Sequence, residues 1–364
     1  MATTQFVLQP APPKNEDERS SLMQNLGFGS VFTENMVRIS YHVDKGWFDP
    51  ALVPFAPIQM SPAASVLHYG QAIFEGFKAY RQKDGGISTF RPSENGRRFQ
   101  SSADRLAMPA LPIDLFVEAA DTLIRQDHLW VPPAVGESLY LRPLMIASEA
   151  ALGVRPSREY IFLLFASPAG AYFRHGVKPV SVWVSRDYVR AAKGGTGHTK
   201  CAGNYAASLV AQRQALENGC DQVIWLDAKE REFIEEMGGM NLFFVYRDGT
   251  RVRLVTPSLS GSLLPGVTRD SLLQLARDLG YEAEEATLSM TQVEADVLSG
   301  ELTEVFACGT AAVITPVGHV KSEKGSFAIN QGQTGPIAER LRGALLDIQH
   351  GYAPDPHGWV HRVL

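Results

Sequence analysis

The stretch Gly194-Gly195-Thr196-Gly197-His198-Thr199-Lys200-Cys201-Ala202-Gly203-Asn204-Tyr205 delivers a single lysine, Lys200, at the end of a glycine-rich loop. Residues 179–184 before it and 222–226 after it are apolar runs typical of strands. Between the lysine and the second run, apolar residues recur near helical spacing up to Asn218-Gly219, a typical helix end. The order strand, loop, helix and strand therefore predicts that Lys200 lies at a loop–helix junction.

The position of Lys200 indicates chemistry. The first turn of a helix carries partial positive charge, which disfavours an ammonium group and lowers its pKa. A lysine that loses its proton readily can condense with an aldehyde to form a Schiff base. The alternative is an ordinary solvent-exposed lysine, and this segment alone leaves both interpretations open.

The composition predicts a two-domain globular protein. The chain has 364 residues, of which 45% are hydrophobic and 20% charged, and its net charge is −5. One core rarely extends over this length, and the mixed charges argue against a nucleic-acid or membrane-surface partner. No apolar stretch reaches membrane-spanning length, and the polar, proline-dotted N-terminus is unlike a targeting segment. Three cysteines without metal-like spacing predict a reduced, cytoplasmic protein with no metal site.

The strand and helix patterns predict four segments in chain order. They are a flexible leader over residues 1–25, a small α/β domain over 26–176, an interdomain linker region over 177–187 and a large α/β domain carrying the lysine over 188–364. Hairpin signals around residues 83–86 and 247–250 lie among these patterns. We therefore expect a mixed α/β (α+β) fold with antiparallel hairpins, not a doubly wound parallel sheet.

A second candidate site is the start of a helix. Residues 263–270, with the sequence LLPGVTRD, lead into a helix predicted over 271–279. Gly266 allows a tight turn, and Thr268 can cap the helix. The amides of Val267 and Thr268 would then point outward at the helix N-terminus, where an anion such as a phosphate is favoured. An ordinary capped helix is the alternative.

Three further segments contain candidate ligand-binding residues. Small residues over 306–312 would let backbone amides approach a ligand, unless they form a bulge in a sheet. In Glu235-Glu236, between two strand-like runs, a carboxylate could hydrogen-bond a ring nitrogen, although paired glutamates are typical of a solvated edge. Arg97-Arg98 lies on a helix predicted after Pro92. One of these arginines could clamp a phosphate, and a surface pair is the alternative.

Short motifs recur along the chain in a fixed order: FGSVFT at 28–33, LHYG at 67–70, FEGFKAY at 74–80, LYLRP at 139–143, GAYF at 170–173, KCAGNY at 200–205, EMGGMN at 236–241, LPGVTR at 264–269 and GTA at 309–311. Each is modest alone. Together they resemble the branched-chain amino-acid aminotransferases, a family of fold type IV pyridoxal-phosphate enzymes. The similarity runs from about Leu26 to the C-terminus.

The resemblance implies a two-domain fold type IV architecture, similar to D-amino-acid aminotransferase, with the active site at the domain interface and pyridoxal 5'-phosphate as cofactor. Lys200 would be the catalytic residue, joined to the cofactor as a Schiff base and then acting as proton shuttle. Glu236 would pair with the pyridine nitrogen, and Tyr205 would contact the phenolic oxygen of the ring. Arg98, rather than Arg97, aligns with the family's phosphate-binding arginine. The other implied cofactor-binding residues are Leu264, Gly266, Val267, Thr268, Gly309 and Thr310.

The resemblance also implies a substrate pocket and a partner. Apolar walls would stabilise a buried Val- or Leu-sized side chain by about 1.5–3 kcal/mol. Arg142 would bind the γ-carboxylate of glutamate, and Gly239 leaves the fine specificity open. The implied walls are Phe28, Phe74, Tyr140, Tyr172, Gly239 and Ala311. Tyr69, Leu152 and Val154 would reach this pocket from a partner subunit, which implies an obligate homodimer.

The implied function is ping-pong transamination of L-leucine, L-isoleucine and L-valine with 2-oxoglutarate, giving branched 2-oxo acids and glutamate. A D-amino-acid transaminase or an aminodeoxychorismate lyase of the same fold would use the same lysine and glutamate. The LYLRP motif and the full-length match favour the first activity. A non-catalytic nucleotide-binding regulator, with Gly194 to Gly197 as a phosphate loop, is the alternative of another class. That loop lacks the spacing of a dinucleotide fingerprint and the acidic residue expected about 20 residues further on.

Overall fold

The computed structural model describes residues 5–24, 26–170 and 178–364. The chain divides into two compact units. The first comprises Met1–Tyr172, Thr199–Ala202 and Leu346–Leu364, and the second comprises Phe173–His198 and Gly203–Leu345. Within the described ranges, none of the helices has the length and apolar character that a membrane span requires.

The secondary-structure elements of the described residues are numbered in chain order. The strands are β1 Val7–Leu8, β2 Asn35–His42, β3 Gly46–Pro54, β4 Ala72–Phe74, β5 Phe77–Arg81, β6 Ile87–Phe90, β7 Ser138–Ala147, β8 Glu159–Ala169, β9 Val180–Ser185, β10 Gln222–Leu226, β11 Ile234–Met237, β12 Met240–Asp248, β13 Arg251–Pro257, β14 Glu282–Ala286, β15 Leu302–Gly309, β16 Val313–Ser322, β17 Gly325–Ala328 and β18 Val360–Arg362. The helices are α1 Glu16–Met23, α2 Ser65–Tyr69, α3 Pro92–Arg105, α4 Ile113–Gln126, α5 Ala202–Ala206, α6 Leu209–Glu217, α7 Val267–Asp278, α8 Met290–Ser299 and α9 Pro336–Gln349, with short 3-10 segments at His128–Trp130 and Asn330–Gly332.

The strands of the first unit form one sheet in the order β1-β3-β2-β8-β7-β5-β6-β18, and β4 pairs with β7. The β1–β3 pair is parallel, and the other pairs are antiparallel. Along β2, Val37 and Ile39 are fully buried, because alternate side chains of a strand share a face. Phe99 of α3, Phe116 of α4 and Phe162 of β8 pack together over the buried face. This packing brings α3 beside β4.

The strands of the second unit form a sheet in the order β11-β10-β9-β16-β15-β12-β13-β14, with β17 on β16. Strand β11 pairs with β12 as well as with β10, so this path of strands closes on itself. Its core includes Val182, Val184, Leu242 and Phe244. Closure places β11 between β10 and β12, where its side chains are buried throughout.

The predicted fold class is confirmed, because both units combine helices with sheets and contain antiparallel hairpins. The two hairpin signals correspond to β5–β6 and β12–β13. The apolar runs over 179–184 and 222–226 correspond to β9 and β10. The helix predicted after Pro92 is α3.

The predicted segment boundaries differ from the two units. The leader over 1–25 contains strand β1 and helix α1, and the linker region over 177–187 contains β9, which pairs with β10 and β16 inside the second sheet. Lys200 and Leu346–Leu364 group with the first unit, although the prediction placed both in the large domain. The C-terminal segment joins the first unit because β18 pairs with β6, and pairing across so many residues leaves no local signal in a sequence.

Candidate active site

Lys200 is tied by its main chain to elements of the first unit. Its N–H donates to Ser102 Oγ of α3 at 3.1 Å, and its carbonyl accepts from the Phe74 N–H at 3.0 Å. Cys201 forms a β-bridge with Ile73. The Lys200 Nζ lies 5.3 Å from the centroid of the Phe74 ring. These contacts fix the main chain of Lys200, and its side chain is half-buried.

The helix predicted after Lys200 is present but divided. Helix α5 begins at Ala202 and ends at Ala206, and α6 begins only at Leu209. A five-residue helix has few aligned peptide dipoles, so it contributes less to the field at Lys200 than the single long helix that the pattern predicts. Side-chain charges near Lys200 interact with it as well.

Those charges come from a buried cluster around Glu75, which the sequence prediction missed. Glu75 is fully buried and accepts hydrogen bonds from Arg98 Nε at 2.7 Å and Arg98 Nη2 at 2.9 Å. Asn95 Nδ2 and the Gly76 N–H donate to the same carboxylate at 2.9 and 3.1 Å. Burial by itself raises the pKa of Glu75. The charge and hydrogen bonds of Arg98, the charge of Lys200 and the Asn95 amide outweigh it and bring the pKa below its usual value.

Helix α3 explains how this cluster is positioned. Asn95, Arg98 and Ser102 are buried at spacings of three and four residues, so they share one face of the helix. The first two bind Glu75, and the third binds the main chain of Lys200. Arg97, in contrast, is exposed and pairs with Glu94. The structure thus buries Arg98, the arginine that the resemblance chose, and leaves Arg97 at the surface.

A second group in the first unit combines aromatic rings with a cation. The rings of Phe28 and Tyr140 meet edge to face at a centroid distance of 4.8 Å. The Arg142 guanidinium lies 4.7 Å from the Phe74 ring centroid and 5.3 Å from that of Tyr140, and its Nη2 donates to the Tyr140 hydroxyl at 3.1 Å. Gly76 permits this arrangement, because a Cβ at that position would lie 1.9 Å from the Tyr140 hydroxyl. The result is an apolar surface that includes one oriented cation.

Tyr69, Leu152 and Val154 form an exposed group on the first unit. The Tyr69 hydroxyl donates to the Leu152 carbonyl. The side chains of Leu152 and Val154 are 63% and 84% exposed, and Tyr69 beside them is exposed as well. Neighbouring exposed apolar residues form a patch of the kind that can contact another molecule.

In the second unit, Glu236 lies on β11 and is almost fully buried, so the solvated-edge alternative is wrong for it. Its Oε1 accepts from the Leu264 N–H at 2.6 Å and from Asn241 Nδ2 at 3.4 Å. Its Oε2 lies 3.0 Å from the Nε of Arg190, a residue that the prediction also missed. Glu235 is buried as well, and burial raises its pKa above the usual value although Ser262 and Arg190 act in the opposite direction.

The predicted anion site at the start of a helix requires one correction. Helix α7 begins at Val267, not at Ser271, and its N-cap is Gly266, which provides no side-chain cap. Thr268 therefore lies inside the first turn and does not cap the helix. The first amides of a helix have no partner within the helix, so those of Val267 and Thr268 keep the predicted capacity to bind an anion. Gly266 is required for packing, because a Cβ there would lie 2.1 Å from Asn241 Oδ1.

The small residues around Gly309 form a hairpin turn between β15 and β16, not a bulge. Thr310 and Ala311 lie in this turn, which ends at Val313 with φ of 62°. A positive φ is strained for a β-branched residue, and such strain is common near functional sites. Cys308, which precedes the turn, is buried in the sheet, and burial raises the pKa of its thiol.

Tyr205 and Gly239 also lie together in the second unit, since a Cβ on Gly239 would contact Tyr205 Cε1 at 3.6 Å. That is an ordinary contact distance, so the position has room for a larger side chain. Tyr172 lies outside the described residues, and its predicted place in the pocket stays a prediction.

A signal for the missed residues was present in the sequence. Glu75 interrupts the apolar run from Ala72 to Phe77, and a charged residue within a buried apolar run requires a partner. The pattern could have identified Glu75 as buried, but not Arg98 as its partner. Arg190 follows β9 in an irregular loop and carries no comparable signal.

Comparison with known proteins identifies the family of this chain. The model of the family Amino-transferase class IV matches residues 72–320, and the chain belongs to that family. The matched enzyme structures confirm the expected fold type IV architecture.

Individual relatives extend the similarity to the full chain. The chain is 58% identical over 365 residues, covering 100% of both chains, to the probable branched-chain-amino-acid aminotransferase of Streptomyces coelicolor. It is 59% identical over 352 residues, 96% of each chain, to the branched-chain-amino-acid aminotransferase of Mycolicibacterium smegmatis. The structure of the T.th. branched-chain amino acid aminotransferase complexed with N-(5'-phosphopyridoxyl)-L-glutamate matches with a TM-score of 0.70 and 30% identity, over 90% of this chain and 98% of that chain.

Proposed function

We propose that this protein is a pyridoxal-phosphate-dependent transaminase that transfers the amino group of L-leucine, L-isoleucine and L-valine to 2-oxoglutarate. The observation that carries the proposal is identity of 58–59% over essentially the whole chain to relatives named for this activity. The bound phosphopyridoxyl-glutamate in the T.th. enzyme supports both the cofactor and glutamate as the second amino acid.

The residues present fit the cofactor. Lys200 offers a primary amine, which an aldehyde requires, and Glu236 offers a buried carboxylate suited to a ring nitrogen. The uncapped first turn of α7 offers amides for a phosphate. Arg98, oriented by Glu75, offers a guanidinium to the same kind of group. When bound, pyridoxal phosphate supplies an electron sink for the charge left when the α-proton departs.

The protein supplies proton transfer and orientation. Lys200 Nζ would remove the α-proton of the amino acid as general base and deliver it to the former aldehyde carbon of the cofactor, on the other side of the amino nitrogen. Since the main chain of Lys200 is hydrogen-bonded to Ser102 and Phe74, the amine moves only by rotation of its own side chain. Glu236 would hold a proton on the ring nitrogen, because an ionised carboxylate favours the protonated form of its partner.

The aromatic group with Arg142 suits the two kinds of amino acid that the reaction needs. The rings of Phe28, Phe74 and Tyr140 would bury a branched aliphatic side chain. When glutamate is the amino acid, the Arg142 guanidinium would bind its γ-carboxylate, which the rings alone would not stabilise. Tyr172, Gly239 and Ala311 are proposed as further pocket walls.

A substrate panel tests the proposed activity. We expect 2-oxo acid from L-leucine, L-isoleucine and L-valine with 2-oxoglutarate as acceptor, and at least about 100-fold less from D-leucine, since a positioned general base acts on one face only. The measurement is coupled detection of glutamate. Preference for the D-amino acid would indicate a D-amino-acid transaminase, and pyruvate release from aminodeoxychorismate would indicate the lyase. A protein that stays colourless with added pyridoxal phosphate would indicate a nucleotide-binding regulator.

We also propose a homodimer in which Tyr69, Leu152 and Val154 contact the partner subunit. Their exposure supports this proposal. The double variant Leu152→Glu/Val154→Glu is expected to move the protein toward monomer in sedimentation velocity at micromolar concentration, because buried charges oppose association. The control is Leu298→Glu, which changes an exposed leucine of the second unit. A dimer of unchanged affinity in the double variant would contradict this assignment.

A cytoplasmic location is proposed too, supported by three buried cysteines without disulfides.

A further inference from the structure

We propose that Arg190 is a positioning residue for the reaction: it keeps Glu236 ionised and oriented toward the ring nitrogen of the cofactor. This inference rests on the proposed function. Arg190 lies in the loop between β9 and α5, and its Nε is 3.0 Å from Glu236 Oε2. The two side chains are 7% and 2% exposed, so the pair is shielded from water.

The hydrogen bonds of Glu236 show why a cation is needed. Its Oε1 binds the Leu264 N–H and the Asn241 amide, which are both neutral donors. A carboxylate in a buried strand loses its hydration and tends to take up a proton unless a positive charge compensates. Arg190 provides that charge at the other oxygen, and a neutral Glu236 would no longer favour a protonated ring nitrogen.

The guanidinium of Arg190 is itself held in place. Its Nη2 donates to the Gly197 carbonyl at 3.1 Å and to the Ser262 carbonyl. These bonds connect the glycine-rich loop that leads to Lys200 with the segment before α7. Nε lies 3.0 Å from the carboxylate as an ion pair without an aligned hydrogen bond. The planar fork of a guanidinium can face a carboxylate with one nitrogen while another binds carbonyls, which a lysine ammonium cannot do. The position therefore calls for arginine specifically.

The neighbouring titratable groups favour Glu236 as the ionised partner. Glu235, next to it on β11, accepts from the Ser262 hydroxyl, and burial raises the pKa of this carboxyl in spite of the attraction to Arg190. Burial raises the pKa of the Cys308 thiol on β15, and the charge of Glu236 acts in the same direction, so the thiol stays neutral. Of the two adjacent glutamates, Glu236 is the one whose Oε2 lies 3.0 Å from Arg190 Nε.

The test compares full-length wild type with Arg190→Gln and Arg190→Lys, and with Arg186→Gln as control. Arg186 is matched, because it pairs with Glu232 at 3.5 Å and donates to a carbonyl at 2.8 Å in the same part of the chain. The measurements are the Kd of pyridoxal phosphate for cofactor-free protein by fluorescence quenching, the visible absorbance of the loaded protein between pH 5 and pH 10, and kcat and KM for L-leucine.

In Arg190→Gln we expect the pH midpoint of the absorbance to move and kcat to fall about 10- to 100-fold. That range is typical when a residue that orients a metal-binding side chain is removed, and Arg190 orients Glu236 in the same way. KM for L-leucine should stay within about threefold, because Arg190 binds no part of the amino acid. Arg190→Lys should recover part of the absorbance profile, since it restores the charge without the fork. Arg186→Gln should match wild type in all three measurements.

Two outcomes would overturn the inference alone. One is an unchanged absorbance profile and kcat in Arg190→Gln. The other is an absorbance midpoint in Arg190→Lys that is displaced as far as in Arg190→Gln, which would show that the restored charge has no effect and would make Arg190 only a tether of the loop. If borohydride leaves no pyridoxyl label on Lys200 of wild type, the proposed function fails and this inference fails with it.

Discussion

Replacement of Lys200 by alanine is expected to lower kcat for L-leucine with 2-oxoglutarate by at least about 10⁴-fold. The lysine is proposed as both the amine that binds the aldehyde and the general base, and a general base alone contributes up to about 10⁴-fold. The variant should keep its fold, because the main-chain hydrogen bonds of Lys200 to Ser102 and Phe74 survive the replacement. The measurements are steady-state kinetics and the free energy of unfolding.

Reductive labelling makes this prediction specific. After borohydride treatment of the loaded wild-type protein, peptide mass spectrometry should place one pyridoxyl group on Lys200. The control is Lys193→Ala, which removes an exposed lysine from the same loop and should retain both label and activity. A label on another side chain, or more than about 1% residual activity in Lys200→Ala, would refute the role assigned to this residue.

Replacement of Glu75 by alanine is expected to destabilise the protein by about 3–5 kcal/mol, because it leaves the buried Arg98 guanidinium without its partner. The same change should weaken binding of pyridoxal phosphate, since Arg98 loses the two hydrogen bonds that orient it. Chemical denaturation measures the first effect, and titration of the cofactor-free protein measures the second. The control is Arg97→Gln on the same helix, where an exposed pair with Glu94 is broken and less than about 1 kcal/mol is expected.

A compensated variant separates the two effects. Glu75→Leu with Arg98→Met replaces the buried pair by apolar groups and should recover much of the lost stability, but it should still bind the cofactor weakly. Recovery of cofactor binding in this double variant would show that Arg98 is not a phosphate ligand.

The pair also predicts a dependence on pH. The pKa of Glu75 is lower in the folded protein than its usual value of 4.5, so its contribution to stability is complete above that value and is lost as the pH falls through the folded-state pKa. Wild type should therefore lose stability on acidification below about pH 4.5 more steeply than Glu75→Gln. If the free energy of unfolding fell equally steeply with pH in the two proteins, Glu75 would not be ionised in the folded protein.

Much of the local structure could be predicted because it depends on local patterns. Strands β9 and β10 and helix α3 follow from hydrophobic spacing over short windows. The start of α7 was placed one turn too late, because Thr268 is a good capping residue whereas Gly266, the actual N-cap, provides no side chain. The short helices α5 and α6 were predicted as one, since the spacing of apolar residues does not reveal a break between them.

The partners of the buried charges could not be predicted in the same way. Glu75 and Arg98 are 23 residues apart, and Glu236 and Leu264 are 28 apart. Each pair forms only when two segments that are distant in the chain pack together. A pattern can show that a charge is buried but not which residue compensates it. Arg190 was missed for this reason.

By itself, the sequence determined the mixed α/β class and the strands and helices with strong periodicity, because each depends on residues close together in the chain. The local pattern also made Lys200 a candidate, which the motifs along the whole chain then favoured. Only the tertiary structure decided that Thr199–Ala202 and Leu346–Leu364 join the first unit, that Arg98 and not Arg97 is buried, and that Glu236 faces Arg190. Sheet pairing and burial of charge are settled by which distant segments meet. The free energy of burying a charge depends on its loss of hydration and on partners that come together only when the chain folds.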